Sequence, residues 1–174
     1  GLDLVTYGTP ARPDLFVSGN VVSAAPFLRF AWQREGGAWN EVQTHLVGAY
    51  NLLNMLAALS VGLFLGVSAE AANRALANYV PSNNRSQLEE TTHNKLIMDA
   101  YNANPTSLSV ALNNFHDMEV PHKMAILGDM LELGAVSQSA HQAIVDQLSQ
   151  LALDEVWLVG SEFARTSCAF RKFN

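Results

Sequence analysis

The second half of the chain alternates short apolar segments with helical ones, and this alternation restricts the possible fold more than any other feature. Strands are predicted at residues 95–99, 123–128 and 155–160. Helices are predicted over residues 105–115 and 137–151, the second capped by Ser137, and Ser161 is predicted to open a last helix. Near-continuous apolar strands joined by helices are typical of a parallel sheet covered on both faces. The sequence therefore predicts an α/β fold with a three-stranded, Rossmann-like parallel sheet.

The first half predicts short strands followed by helices. The predicted strands are residues 4–7, 15–17, 27–32 and 39–44. Glu35-Gly36-Gly37 is typical of a hairpin turn between the last two strands. One long buried helix is predicted over residues 50–65, and a second over residues 69–79 with Ser68 as its N-cap.

A change in composition predicts a boundary between two domains. Residues 80–84 are rich in turn formers, and the charge differs on either side of them. Residues 1–82 carry four basic and five acidic side chains, and residues 83–174 carry six and eleven. The net charges of −1 and −5 add to the total of −6. We therefore expect one domain over residues 1–82 and another over residues 83–174.

Composition excludes several classes of function. The acidic balance argues against nucleic acid or an anionic membrane as the main partner, because both need a basic face. The single cysteine, Cys168, excludes an internal disulfide and favours a reducing cytoplasm. Residues 42–69 contain no charged side chain, but their dense apolar part, residues 55–67, is shorter than the roughly 20 residues of a membrane span. A buried helix is the better interpretation.

Polar residues follow the predicted strands, where open parallel sheets bind ligands. The first strand ends in Asp99 and is followed by Asn102, the second leads into residues 128–134, and the third into residues 160–162. A carboxylate such as Asp99 can accept hydrogen bonds from ribose hydroxyls, and an amide such as Asn102 can read a base or a peptide. Alternatively, both residues cap the turn and helix that follow.

Other polar groups have two interpretations each. Asn51 and Asn54, three residues apart, share one face of the predicted helix and bond either neighbouring backbone or a ligand. Arg85 is either a surface arginine or the partner of an anionic ligand. The five histidines show no metal-ligand spacing, and His141 is expected to be solvated.

Four segments, in order, resemble motifs of the Mur ligases, the ATP-dependent amide-forming enzymes of peptidoglycan precursor synthesis. Residues 48–58, GAYNLLNMLAA, resemble the family's G-x-H-N-x-x-N-x-x-A-A helix, with Tyr50 where many relatives have histidine. Residues 83–87, NNRSQ, resemble the segment with a nucleotide-contacting arginine. Residues 99–107, DAYNANPTS, and 127–134, LGDMLELG, are similar to two loops of the members that add the terminal dipeptide.

The resemblance implies where this chain lies in the family and what its residues do. It implies the end of a central ATPase domain followed by most of a C-terminal Rossmann-like domain. The residues that it implies for ATP are Asn51 and Asn54 at the adenine, Arg85 at the phosphates, Asp99 at the ribose, and Asn102. The residues that it implies for a substrate cleft between domains are Tyr101, Asn104, Asp129, Met130, Leu131 and Glu132.

The implied reaction forms an acyl phosphate on a UDP-muramoyl tripeptide, which the amine of D-alanyl-D-alanine then attacks. ATP and Mg²⁺ are the implied cofactors, with most magnesium ligands expected outside this stretch. The sequence contains no glycine-rich phosphate loop with Lys-Ser or Lys-Thr, so we expect the stretch alone to be inactive. The alternatives are another Mur ligase, a folylpolyglutamate synthetase, or a non-catalytic nucleotide-binding or interaction module.

Overall fold

The computed structural model describes residues 4–173. The chain divides into two compact units, Gly1–Asp99 and Ala100–Asn174. Both combine strands and helices, and the second contains a three-stranded parallel sheet, which confirms the α/β class.

The sheet of the first unit has four strands in sequential order. They are β1 (Tyr7–Gly8), β2 (Val17–Ser23), β3 (Arg29–Arg34) and β4 (Asn40–Gln43). β1 is parallel to β2, and the other neighbours are antiparallel. The predicted turn after β3 is confirmed: Glu35 and Gly36 have φ of 48° and 71°, the left-handed conformation of the turns that join antiparallel strands tightly.

Two helices follow this sheet, α1 (Leu52–Phe64) and α2 (Ala69–Asn78). The predicted long helix begins differently, because Ala49–Asn51 form a 3-10 turn before α1. The helix was predicted to be buried, but only one face of it is: that face joins the strands in one hydrophobic cluster with Phe30, Trp32 and Val42, whereas Leu53, Val61 and Phe64 on the other face are exposed. Ser68 caps α2 as predicted, since its Oγ accepts from the Ala71 N–H at 3.2 Å. Within residues 4–173, no helix is long and apolar enough to cross a membrane.

The first unit ends with an antiparallel hairpin of β5 (Gln87–Glu90) and β6 (Lys95–Met98). Residues 95–99 were predicted to join the parallel sheet, and this prediction is wrong for the described residues. A tight turn explains the difference: the Thr91 N–H donates to the Asn94 carbonyl at 2.8 Å and reverses the chain. Lys95 then pairs with Glu90, 2.8 Å away, so β6 takes the preceding segment as its partner.

The second unit is built on the parallel strands β7 (Met124–Gly128), β8 (Glu155–Val159) and β9 (Arg171–Phe173), in that order. Its helices are α3 (Pro105–His116), α4 (Ser137–Leu148) and α5 (Ser161–Ala164). β7, β8 and the beginning of α3 lie where they were predicted. β9 was not predicted, because three residues are too short to give a periodic signal.

The core of the second unit lies on one face of its sheet. In β7, Ala125 and Leu127 are buried, whereas Met124 and Ile126 are exposed. The buried residues of α3, α4 and α5 belong to the same cluster as Ala125 and Leu127. The prediction that both faces are covered is therefore wrong for the described part of this unit, since alternate side chains of β7 face solvent.

Candidate functional site

A hydrogen-bonded network in the first unit joins three segments that are distant in sequence. At its centre is Ser86, buried just before β5. Its Oγ lies 2.8 Å from the Tyr50 hydroxyl and accepts from Asn51 Nδ2 at 3.0 Å. Its backbone N–H donates to Asp99 Oδ1 at 3.3 Å, and Tyr50 donates to Asp99 Oδ2 at 3.4 Å. The helix motif, the arginine segment and the end of β6 thus meet in one place, which we call the Ser86 network: Tyr50, Asn51, Ser86 and Asp99.

The two asparagines of the helix motif differ in what they can offer a ligand. Asn51 is buried, and its amide nitrogen donates both to the Val47 carbonyl at 2.9 Å and to Ser86 Oγ. Its Oδ1 accepts from Asn54 Nδ2 at 3.1 Å. The Asn51 amide therefore has no N–H left to donate. Asn54 is exposed, and its bond to Asn51 uses one N–H and leaves the carbonyl oxygen and the second N–H out of that bond.

Arg85 lies in a strained turn directly before Ser86. Asn84 and Ser86, on either side of it, have φ of 56° and 49°, a conformation that side-chain-bearing residues adopt rarely. The backbone of Ser86 is held there by its N–H on Asp99 and by its carbonyl, which accepts from the Val47 N–H at 3.1 Å. Arg85 is exposed in this turn. The turn thus places the arginine beside the Ser86 network.

Burial raises the pKa of the Tyr50 hydroxyl above its ordinary value of 10.0. The hydrogen bond with Ser86 acts in the opposite direction, whereas the negative charge of Asp99 and the hydrogen bond to it raise the pKa further. Tyr50 is therefore protonated, and a hydrogen-bond donor, at neutral pH.

The N-cap of α3 is Asn104, and not Asp99 or Asn102. Asn104 Oδ1 accepts from the Ser107 N–H at 2.9 Å, and the Ser107 hydroxyl faces the Asn104 N–H, which forms a capping box. Tyr101 and Asn102 precede it and are exposed. The cap interpretation of Asp99 and Asn102 is wrong, because a residue further along the chain already satisfies the amides of the first turn.

The loop after β7 is fixed by Asp129, whose carboxylate accepts from the beginning of α5. Asp129 Oδ2 accepts from the Glu162 N–H at 3.0 Å, and Oδ1 accepts from the Phe163 N–H at 2.9 Å. Gly160 makes the approach possible, since a Cβ there would lie 2.3 Å from Asp129 Oδ2. The side chain of Asp129 is 14% exposed. The structure thus uses this carboxylate to join the two loops.

His141 of α4 was expected to be solvated, and the structure shows it wholly buried. Its Nε2 accepts from the Met130 N–H at 3.0 Å, which requires the proton on Nδ1, 2.8 Å from the Ser137 carbonyl. Its ring packs edge-on against Phe163, 4.6 Å between centroids. Helical periodicity could have indicated this burial, because His141 lies on the face of Ile144, Val145 and Leu148.

Ser137 is not the cap of α4 that the sequence predicted. Val136 occupies the N-cap position, with no side-chain bond. The Ser137 hydroxyl instead donates to Glu162 Oε2 at 2.6 Å, and a 3-10 turn at Gly134–Val136 leads into the helix. The Ser137 hydroxyl thus bonds α5 and does not cap its own helix.

The remaining predicted loop residues have contrasting environments. Met130 is buried in the core, whereas Leu131 is 70% exposed and Glu132 is exposed with φ of 64°. Within residues 4–173, no three or more His, Cys, Asp or Glu side chains are grouped to hold a metal ion.

Comparison with known proteins decides the family. The sequence profile described as "Mur ligase, glutamate ligase domain" matches residues 84–171. The chain belongs to the Mur ligase family. UDP-N-acetylmuramoyl-tripeptide--D-alanyl-D-alanine ligase of Bacillus subtilis is 33% identical over 157 residues, which are 89% of this chain and 34% of the relative. This Mur ligase chain thus spans about a third of the length of that relative.

The fold of this chain is similar to that of solved structures. A crystal structure of MurF from Acinetobacter baumannii is 25% identical with a TM-score of 0.83, covering 98% of this Mur ligase chain and 38% of that one. MurF ligase from Thermotoga maritima, solved in complex with ADP, has a TM-score of 0.75 at 21% identity, covering 91% and 37%.

Sequence reasoning missed the importance of Ser86 and Tyr50. Ser86 appeared only as a neighbour of Arg85, and Tyr50 as a departure from a motif. A serine beside a conspicuous arginine carries no signal of its own, since its importance depends on partners about 35 residues earlier and 13 residues later.

Proposed function

We propose that this chain is the nucleotide-binding part of an ATP-dependent ligase that joins D-alanyl-D-alanine to a UDP-N-acetylmuramoyl tripeptide in the bacterial cytoplasm. The Ser86 network carries the proposal, because it gathers three Mur ligase motifs around one exposed carboxylate, Asp99. Family membership supports the ligase chemistry, and similarity to the D-alanyl-D-alanine ligase of Bacillus subtilis supports the choice of substrates.

For the nucleotide, we assign each contact by the chemistry and the exposure of the side chain. The Asp99 carboxylate is exposed and accepts from the ribose hydroxyls, while Arg85 binds the phosphates. Asn54 offers one donor and one acceptor to the adenine edge, and Asn51 holds Asn54 in place through its Oδ1. Asn102, an exposed amide, is proposed for the nucleotide on the resemblance of its motif alone.

For the peptide substrates, we assign the exposed members of the two loops. These are Tyr101, Asn104, Leu131 and Glu132. Asp129 and Met130 support the second loop from within, since their polar atoms are bonded to α5 and His141.

The proposed reaction has two steps. The tripeptide carboxylate attacks the γ-phosphorus of ATP, giving an acyl phosphate and ADP. The amine of the dipeptide then attacks the acyl carbon, loses a proton, and expels phosphate. Phosphoryl transfer depends on positioning and on neutralisation of charge. We propose that this stretch alone does not catalyse it, because the sequence lacks a phosphate loop and spans about a third of its relatives' length.

Calorimetric titration of the 174-residue chain with ADP tests the proposal. ADP is the probe because the Thermotoga maritima protein was solved with it. We expect saturable binding, a loss of about tenfold or more in Asp99→Asn, and a loss of about fivefold in Asn54→Ala. Asp146→Asn, on the exposed side of α4, is the matched carboxylate control and should bind as the parent does. Equal affinity of all four proteins, or no binding, would refute the nucleotide assignment, and phosphate release from ATP by this chain would refute its proposed inactivity.

A further inference from the structure

The ring of Tyr50, which the family motif leaves without a role, has a fixed position in the Ser86 network. It lies in the 3-10 turn Ala49–Asn51, directly after Gly48, which has φ of 97°. A Cβ on Gly48 would lie 2.3 Å from Tyr50 Cε1. The missing side chain of Gly48 thus makes the space in which the ring lies, and the hydroxyl reaches both Ser86 and Asp99.

The hydrogen bonds of the Ser86 network all run in one direction from donor to acceptor. An ionised Asp99 can only accept, so the Tyr50 proton points to Oδ2. Ser86 accepts from Asn51, and its own proton is then the one shared with the Tyr50 oxygen at 2.8 Å. The order is Asn51 to Ser86 to Tyr50 to Asp99, and each proton is used once. Hydrogen bonds aligned in this way polarise one another.

We propose that Tyr50 is a positioning residue that orients the Asp99 carboxylate for the vicinal hydroxyls of a ribose. The Tyr50 hydroxyl holds Oδ2 while the Ser86 N–H holds Oδ1, so the carboxylate plane is fixed by one contact on each oxygen. Asp99 is exposed, and each of its oxygens has a second lone pair with which to accept one of two adjacent hydroxyls. The inference rests on the proposed function for its ligand, but the contact itself does not depend on any ligand.

Coupling between the two residues is measured in a double-mutant cycle of Tyr50→Phe and Asp99→Asn, titrated with ADP and with 2′-deoxy-ADP. Phenylalanine keeps the ring and removes only the donor. We expect Tyr50→Phe to weaken ADP about fivefold and to reduce the preference for ADP over the deoxy nucleotide. In the Asp99→Asn background the same change should have almost no effect. Tyr50→His, which restores an N–H donor, should recover part of the affinity. Tyr79→Phe is the control, because Tyr79 is exposed elsewhere in the unit.

A second readout needs no nucleotide. The ionisation of Tyr50 is followed by ultraviolet difference titration, as the parent spectrum minus that of Tyr50→Phe. Since the charge of Asp99 and the bond to it raise the Tyr50 pKa, we expect this pKa to fall in the Asp99→Asn background. An unchanged titration, or independent effects of the two variants in the ADP cycle, would overturn the role of Tyr50. Absence of ADP binding with an Asp99-dependent titration would overturn the proposed function and leave the contact standing.

Discussion

Asp99 and Asp129 each directly follow a strand, yet their carboxylates have opposite environments. The oxygens of Asp129 accept backbone N–H groups of α5 at 2.9 and 3.0 Å, and its side chain is 14% exposed. The oxygens of Asp99 are held by longer contacts of 3.3 and 3.4 Å, and the residue is exposed. A carboxylate at the end of a strand is therefore more available to a ligand where neighbouring groups leave it exposed and hold it by longer contacts.

The largest effect is expected when the space that Asp129 needs is removed. Gly160→Ala should lower the free energy of unfolding by about 4 kcal/mol, because a Cβ at φ of 118° is both strained and 2.3 Å from Asp129 Oδ2. Gly128→Ala is the matched control, since its Cβ would have no atom within 4 Å. Urea unfolding followed by circular dichroism measures both. Equal midpoints for the two variants would contradict the close approach.

A somewhat smaller loss is expected where His141 supports the Asp129 loop. His141→Ala should destabilise the protein by about 3 kcal/mol, because it leaves a cavity and an unpaired Met130 N–H. His141→Gln, whose carbonyl oxygen can replace Nε2, should recover part of this loss. The local readout is hydrogen exchange at the Met130 amide, which should accelerate in His141→Ala. An unchanged exchange rate there would show that the histidine does not hold the loop.

The two carboxylates can also be compared directly. Asp129→Asn should cost about 2 kcal/mol, because one of two charge-assisted bonds is lost and an N–H then faces another N–H. Asp99→Asn should change the unfolding free energy by less than about 0.5 kcal/mol, as expected of an exposed side chain. Urea midpoints with m-values provide the test. Losses of the same size in both variants would mean that Asp99 is as structural as Asp129.

The smallest effect concerns pH. Burial raises the pKa of Tyr50, so the folded state holds its proton more tightly than the unfolded state, whose value is 10.0. The resulting stabilisation is complete below pH 10 and is lost as pH rises through the folded pKa. Stability should therefore fall less steeply above pH 10 in Tyr50→Phe than in the parent. Thermal midpoints between pH 8 and pH 11 measure this, with Tyr79→Phe as control, and parallel curves would contradict the shift.

Local sequence was sufficient for the elements whose signals lie within a few residues. The N-cap Ser68, the left-handed turn at Glu35 and Gly36, and the proline at the first position of α3 all act on adjacent backbone. The same locality explains the failures. Thr91 and Asn94 close a turn whose strength depends on the cross-strand pairs that it creates, and the apolar pattern of residues 95–98 does not state which strand will be its partner.

The order of four motifs along residues 48–134 was enough to indicate the Mur ligase family, and the alternation of strand and helix was enough for the α/β class. Only the tertiary structure decided that Asn51, Ser86 and Asp129 are held inside the protein by their hydrogen bonds, while Asn54 and Asp99 are exposed and keep part of their bonding capacity. The physical reason is that a hydrogen-bonding group has few bonds to give. Whether a polar group can still bond a ligand depends on the donors and acceptors that the fold brings to it from elsewhere in the chain.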